Sequence, residues 1–183
     1  MKSKLILSTL LCLFFVLIAS AEEKKEDKNF WIGPKFGLDV SSTTANLTSL
    51  TEQLKQNFQV GLFMQVGKKV YFQPEIYYSS YTIDAATNTS INYVKAPMML
   101  GWRLFDIGLL SLHLNGGPSY LKQLDSTEKA VINWELGTGV NILGFLTTDL
   151  RYTFQKGSTN GFTQVGQLIT NGGMLNLTVG LRL

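Results

Sequence analysis

The chain has 183 residues, a formal net charge of +3, 16% charged residues and a single cysteine. This length suits one domain with a substantial core rather than two domains. The small charge excess gives no strongly basic surface, so we expect no nucleic-acid partner.

The first 21 residues have the pattern of a secretory signal peptide. Lys2 and Lys4 precede an apolar run from Leu5 to Ile18, and the small residues Ala19-Ser20-Ala21 follow it. This pattern predicts a cleaved signal peptide at 1–21, because the apolar run is too short to make a transmembrane helix. Cys12 is removed with it, so the exported chain is predicted to form no disulfide and no thiolate metal site.

Two further regions follow the signal peptide. Residues 22–29, EEKKEDKN, are charged or polar without periodicity and are predicted to be a disordered leader. Residues 30–183 alternate between apolar and polar with a period of two, which indicates β-strands. In the last ten residues, MLNLTVGLRL, every second side chain from Leu175 onward is apolar. Seven earlier segments repeat the pattern, which predicts eight strands of about ten residues each.

The connections between these strands alternate in length. Short connections are predicted at 67–69, 106–108 and 143–145. Long connections rich in Ser, Thr, Asn and Gly are predicted at 42–56, 84–91, 122–131 and 156–173.

Two barrels of opposite polarity fit this alternation. A soluble calycin-type barrel packs apolar side chains inward, whereas a membrane barrel turns them to lipid. An eight-stranded interior cannot hold roughly forty large apolar side chains, and repeated glycine on the polar face suits a narrow lumen. The sequence therefore predicts an all-β, eight-stranded, antiparallel, up-and-down transmembrane β-barrel. Nine strand residues are charged, and all lie on the face opposite the apolar one: Lys35, Asp39, Glu75, Lys95, Arg103, Glu135, Asp149, Arg151 and Arg182.

Aromatic residues concentrate near the strand ends and predict two girdles at the membrane interfaces. Ten residues at about 3.3 Å each, tilted by about 45°, span about 24 Å, which matches the apolar band of such barrels. The short-turn girdle is predicted to contain Trp31, Tyr71, Phe72, Trp102, Phe105 and Phe145, and the long-loop girdle Tyr78, Tyr81, Tyr120, Trp134, Tyr152 and Phe154.

Seven segments follow one another along the strands: GPKFGLDVSS, VYFQPEIYYSS, YVKAPMMLGWRL, GGPSYL, ELGTGVNI, TTDLRYTFQKG and LNLTVGLRL. In order and spacing they resemble the small outer-membrane β-barrel family of Bacteroidota type, described as PorT-like or "porin family". The resemblance implies residence in the outer membrane of a Gram-negative bacterium, periplasmic termini, outward long loops and insertion by the barrel-assembly machinery. It implies no single activity. The chain departs from the pattern at Leu183, where such barrels often end in an aromatic residue.

The nine lumen charges comprise five cations and four anions. Because buried charges are tolerated only in pairs, this balance predicts a lumen filled by crossed ion pairs. A narrow ion or small-solute pathway between them is the alternative, since eight strands leave no wide pore.

Ser111 and His113 are the one candidate pair for acyl-transfer chemistry of the lipid A-modifying kind. They face the lumen, away from a lipid substrate, and no third group to orient the histidine is evident. We therefore predict an interior histidine and no catalytic residues. One histidine and isolated acids predict no metal site and no cofactor.

The function predicted is non-enzymatic: a structural or interaction protein that contacts outer-membrane lipid. Apolar residues in the loops 42–56 and 156–173 predict either a surface for a protein or surface ligand, or a plug over the barrel mouth. A channel, a lipid A-modifying hydrolase and a soluble lipid-binding barrel are the alternatives.

Overall fold

A computed structural model of the protein describes residues 29–41, 57–84, 89–124, 130–154 and 173–183. The predicted signal peptide and leader lie outside the described residues except for Asn29, as does the loop 42–56 and all of 156–173 except Gly173. The described ranges contain eight strands: β1 Phe30–Ser41, β2 Asn57–Gly67, β3 Val70–Asp84, β4 Thr89–Asp106, β5 Leu110–Gln123, β6 Val131–Ile142, β7 Leu146–Phe154 and β8 Met174–Leu181.

The eight strands form a closed antiparallel barrel in chain order. Each strand pairs with the next, and β1 closes the sheet against β8 with Lys35 opposite Gly180 and Leu38 opposite Leu177. The predicted fold class is confirmed. No helix in the described ranges is long and apolar enough to cross a membrane.

Three tight turns join β2 to β3, β4 to β5, and β6 to β7, as the sequence predicts. They occupy residues 68–69, 107–109 and 143–145. Gly108 and Gly144 have φ angles of 81° and 77°, which glycine adopts without the clash that a Cβ would cause. The carboxylate of Asp106 accepts a hydrogen bond of 3.0 Å from the Gly108 N–H, which fixes the β4–β5 turn.

Two of the predicted long connections are shorter in the structure, and the strands range from 8 to 18 residues rather than about ten. The predicted bounds 84–91 of the third-to-fourth-strand connection are wrong, because β3 and β4 stay paired from Tyr81 opposite Ile91 to Asp84 opposite Thr89. Similarly, β5 continues to Gln123, opposite Tyr93. A neighbouring strand satisfies backbone N–H and C=O groups whatever the side chains, so the ladder extends beyond the alternating pattern.

The barrel is polar inside and apolar outside. Phe36, Leu62 and Leu136 on the outer face are 57%, 56% and 63% exposed, whereas Lys35 and Asp149 on the inner face are completely buried. Water-soluble proteins have the opposite arrangement.

Glycines let large inner side chains cross the narrow lumen. A Cβ added at Gly101 would lie 2.0 Å from the Tyr71 ring, and one at Gly137 would lie 2.5 Å from Cγ of Arg151. These contacts are too short for any side chain, so both glycines provide space that Tyr71 and Arg151 occupy.

Candidate functional site

The centre of the lumen is an ion-pair network around Glu75 on β3. Arg151 on β7 donates from Nη1 to Oε2 at 2.6 Å and from Nη2 to Oε1 at 2.9 Å. Lys35 on β1 donates to Oε1 at 2.8 Å. Three strands that are not neighbours in the sheet are therefore linked through one carboxylate.

Neutral side chains complete the surroundings of Glu75. Tyr77 donates its hydroxyl to Oε2 at 2.6 Å, and Gln73 donates its amide to Oε1 at 2.5 Å. Both residues flank Glu75 on the same face of β3, two positions away, as strand geometry requires. A buried carboxylate with cations and neutral donors on both oxygens is a stable rigid unit.

Asp149 on β7 is the second acceptor at this level. Lys35 donates to its Oδ2 at 2.5 Å, and Nη2 of Arg151 lies 3.5 Å from the same oxygen. Its Oδ1 contacts Nε2 of His113 at 2.9 Å and accepts from Nδ2 of Asn115 at 2.7 Å. We call the set Lys35, Glu75, His113, Asp149 and Arg151 the central network.

A second cluster lies toward the long-loop end. Asp39 accepts hydrogen bonds from the Tyr93 hydroxyl at 2.5 Å and from Asn176 at 2.6 Å. Lys95 lies 3.0 Å from Glu135 and 3.9 Å from Asp39. Glu135 in turn lies 4.0 Å from Nη1 of Arg151, so this cluster is continuous with the central network.

Apolar side chains lie near this cluster inside the long-loop end of the barrel. Ile91, Tyr93, Leu121 and Met174 are buried and form one cluster. All four point inward, so the lumen carries an apolar layer beyond its ion pairs.

The third arrangement, at the short-turn end, contains two arginines and aromatic rings. The guanidinium groups of Arg103 and Arg182 lie 4.7 and 4.2 Å from the centre of the Trp31 ring. Arg103 also lies 5.6 Å from the Tyr71 ring and donates to Oε1 of Gln65 at 3.3 Å. We call Trp31, Gln65, Tyr71, Arg103 and Arg182 the short-turn mouth.

The structure thus places all nine predicted lumen charges on the inner face and brings seven of them into ion pairs. Those seven are Lys35, Asp39, Glu75, Lys95, Glu135, Asp149 and Arg151. Arg103 and Arg182 lie apart, at the short-turn mouth. The neutral partners Gln73, Tyr77 and Tyr93 were not predicted as members of the network, although each lies two residues from a predicted lumen charge and therefore on the same face of its strand. Asn115 lies two residues from His113 in the same way.

Trp31 and Tyr71 do not belong to the predicted outer girdle. Trp31 contacts two lumen arginines, and Tyr71 is 1% exposed, with its ring 5.8 Å from that of His113. Both share the inward parity of their strands, and their contacts with cations favour that position over the membrane interface. Eight other girdle residues point outward, with more than a third of each side chain exposed: Phe72, Tyr78, Trp102, Phe105, Tyr120, Trp134, Tyr152 and Phe154. Phe145 lies half-buried in the turn after β6, and the side chain of Tyr81 lies outside the part that the structure describes.

Phe105 is exposed because the strand pairing shifts beside it. Arg103 is opposite His113, but Phe105 is opposite Leu112, so Leu104 is an extra residue in β4. Such a bulge exchanges the two faces of a strand. Arg103 therefore faces the lumen while Phe105, two residues later, is 68% exposed.

His113 has an orienting carboxylate, Asp149, which the sequence did not reveal. Its other ring nitrogen, Nδ1, lies 3.4 Å from Nδ2 of Asn141. The buried Ser111 hydroxyl has no hydrogen-bond partner among the described residues. With both nitrogens occupied, the imidazole has no free position to accept the Ser111 proton, as a nucleophile–base pair requires. Within the described ranges, no three His, Cys, Asp or Glu side chains are grouped to hold a metal ion.

No protein-family model and no curated protein sequence matches the chain. Among solved structures, the chain is similar to Neisserial surface protein A (NspA), with a TM-score of 0.57 and 12% identity over 85% of this chain and 97% of that one. It is also similar to the N-terminal β-barrel domain of Pseudomonas aeruginosa OprF, with a TM-score of 0.50 and 12% identity over 85% and 98%. At this identity the likeness concerns the fold, a small eight-stranded barrel.

Proposed function

We propose that the protein is an integral outer-membrane barrel of a Gram-negative bacterium. The observation that carries this proposal is the inverted polarity of the fold, with large apolar side chains outside and buried ion pairs inside. Water would disfavour that exterior by about 25 cal/mol for each Å² of apolar surface, whereas lipid removes this penalty. A closed barrel also leaves no unpaired strand edge in the hydrocarbon.

The order of the motifs in the sequence supports a more specific proposal, a PorT-like barrel of Bacteroidota type. A PorT-like barrel of Bacteroidota type would be exported through the cleaved signal peptide 1–21 and inserted by the barrel-assembly machinery. Its three tight turns would face the periplasm, and its long loops would face outward. The two similar solved proteins, a surface protein and the barrel domain of OprF, support a barrel of the outer membrane.

We infer a structural or interaction role without catalysis. The central network fixes the lumen side chains, and His113 has both ring nitrogens occupied. The barrel is then a rigid platform, and the loops 42–56 and 156–173 would contact a protein or surface ligand. A narrow channel is the second candidate, because charged side chains run the length of the lumen.

Fractionation tests the membrane assignment. The full chain should stay in the outer-membrane fraction after a carbonate wash and should migrate faster on a gel before boiling than after it. Release into the soluble fraction would overturn the proposal and would favour a soluble lipid-binding barrel.

Protease treatment of intact cells tests the orientation. Proteinase K should cut within 42–56 or 156–173 and leave the tight turns intact, because only the long loops would be outside. Cutting at residues 68–69, 107–109 or 143–145 in intact cells would indicate the reverse orientation.

Mass spectrometry tests the predicted signal peptide, since the mature chain should begin at Glu22.

A further inference from the structure

Arg103 and Arg182 differ from the other cations of the lumen. Lys35, Lys95 and Arg151 each lie 2.5–3.0 Å from a carboxylate. Among the described residues, neither Arg103 nor Arg182 has a carboxylate within ion-pair distance. Asp106 is at the same end of the barrel, but its carboxylate accepts the Gly108 N–H instead.

The two guanidinium groups are also incompletely hydrogen-bonded. Arg182 is 6% exposed, and its Nε has no partner among the described residues. The buried Nε of Arg103 likewise has none, and only one of its terminal nitrogens contacts Gln65. The contacts with the Trp31 ring use no N–H group as a conventional hydrogen-bond donor, so both Nε–H groups remain able to donate to a ligand. Arg182 is a buried positive charge without an anion, which is unfavourable, so this arrangement favours a negatively charged ligand.

We propose that the short-turn mouth binds a phosphate group through Arg103 and Arg182. A phosphate monoester carries a charge of about −1.5 to −2 at neutral pH, which matches two guanidinium groups. The arginine fork fits phosphate oxygens with two parallel hydrogen bonds. Trp31 and Arg103 are both partly exposed, so the ligand can enter from the end of the barrel.

The phosphate could have two sources with the same chemistry. One is free inorganic phosphate. The other is a phosphomonoester lipid headgroup at the barrel rim, where the exposed Trp102 and Phe105 border the mouth. Only the second source depends on the proposed membrane location.

The test is calorimetric titration of the refolded full chain in an uncharged maltoside detergent. The two probes are inorganic phosphate and dihexanoyl phosphatidic acid. The variant R103Q/R182Q should bind at least about tenfold more weakly than the wild type, because each charged hydrogen bond contributes about that factor. K122Q is the matched control, since Lys122 is an exposed cation at the opposite, long-loop end of β5.

A local reporter is available because the chain has three tryptophans, Trp31, Trp102 and Trp134. In the W102F/W134F background, phosphate should change the Trp31 emission, and R182Q should abolish that change. If the double arginine variant does not regain the heat-dependent gel shift of a folded barrel, R103Q and R182Q are titrated singly.

Each outcome decides the proposal. Binding of inorganic phosphate that is lost in R103Q/R182Q and retained in K122Q supports the site with free phosphate as a sufficient ligand. Binding of phosphatidic acid alone supports the lipid source. No binding of either probe, or equal weakening by R103Q/R182Q and K122Q, overturns the site. A chain that fractionates with the outer membrane and binds neither probe refutes this inference and leaves the proposed function standing.

Discussion

Arg151 and Glu75 meet across the barrel lumen in a two-point ion pair, with N–O distances of 2.6 and 2.9 Å. They lie 76 positions apart in the chain, on strands β7 and β3, which are not neighbours in the sheet. The pair therefore connects opposite walls through side chains, in addition to the backbone ladder. Lys35 joins it from a third strand.

Removing the Glu75 charge should destabilise the barrel strongly. In Glu75→Gln, Arg151 and Lys35 lose a carboxylate that they share, and breaking a buried ion pair costs about 3–5 kcal/mol. The urea midpoint of unfolding in lipid vesicles should fall accordingly. The double variant E75Q/R151Q should recover part of this loss, because it removes one of the two cations that have lost the Glu75 carboxylate. If the stability lost in the double variant equals the sum of the losses in E75Q and R151Q alone, the two residues are not coupled.

Gly139 should tolerate no side chain. A Cβ there would lie 2.4 Å from Nε2 of His113 and 2.5 Å from the backbone oxygen of Thr148. We expect Gly139→Ala to lower the free energy of unfolding by about 1–3 kcal/mol, as overpacking does.

The matched control for that variant is Gly116→Ala on β5. A Cβ at Gly116 would meet the end of the flexible Leu136 side chain at 3.1 Å, which can move aside. Equal losses of stability in Gly139→Ala and Gly116→Ala would mean that lumen crowding is not the cause.

The loss in free energy of unfolding caused by a charge on the outer face should depend on the depth of that charge in the membrane. Leu136, in the middle of β6, and Val70, at the start of β3, are 63% and 64% exposed. In lipid, Leu136→Arg should cost about 2–4 kcal/mol and Val70→Arg about 0–1 kcal/mol. Unfolding titrations in vesicles measure both values. Equal small effects would indicate that the outer face contacts water.

The purified barrel should give no steady ion current in a planar lipid bilayer. The central network and the inward apolar layer of Ile91, Leu121 and Met174 obstruct its lumen. Steady conductance steps that disappear in Arg151→Gln or Glu135→Gln would instead establish the narrow channel. Steps that persist in both variants would have to come from a path outside this network.

The alternation of residues by itself determined the strands and the polarity of the barrel. Successive side chains of a strand point to opposite faces, so a sequence that alternates Leu with Lys, Asp or Gly records both faces locally. This is why the eight strands, the three tight turns and the inward position of Lys35 and Arg151 could be predicted. The lengths of β3 and β4 could not, because partner strands support their ends.

Only the tertiary structure decided which charges meet. Closure of β1 on β8 and the stagger of the strands set which inner side chains share a level, and no local pattern carries that information. Lys35 thereby meets both Glu75 and Asp149, while Arg182 meets Trp31 instead of a carboxylate. The bulge beside Arg103 depends on the partner strand β5 in the same way. Periodicity is a property of one strand, whereas register and pairing arise only when eight strands close into a ring.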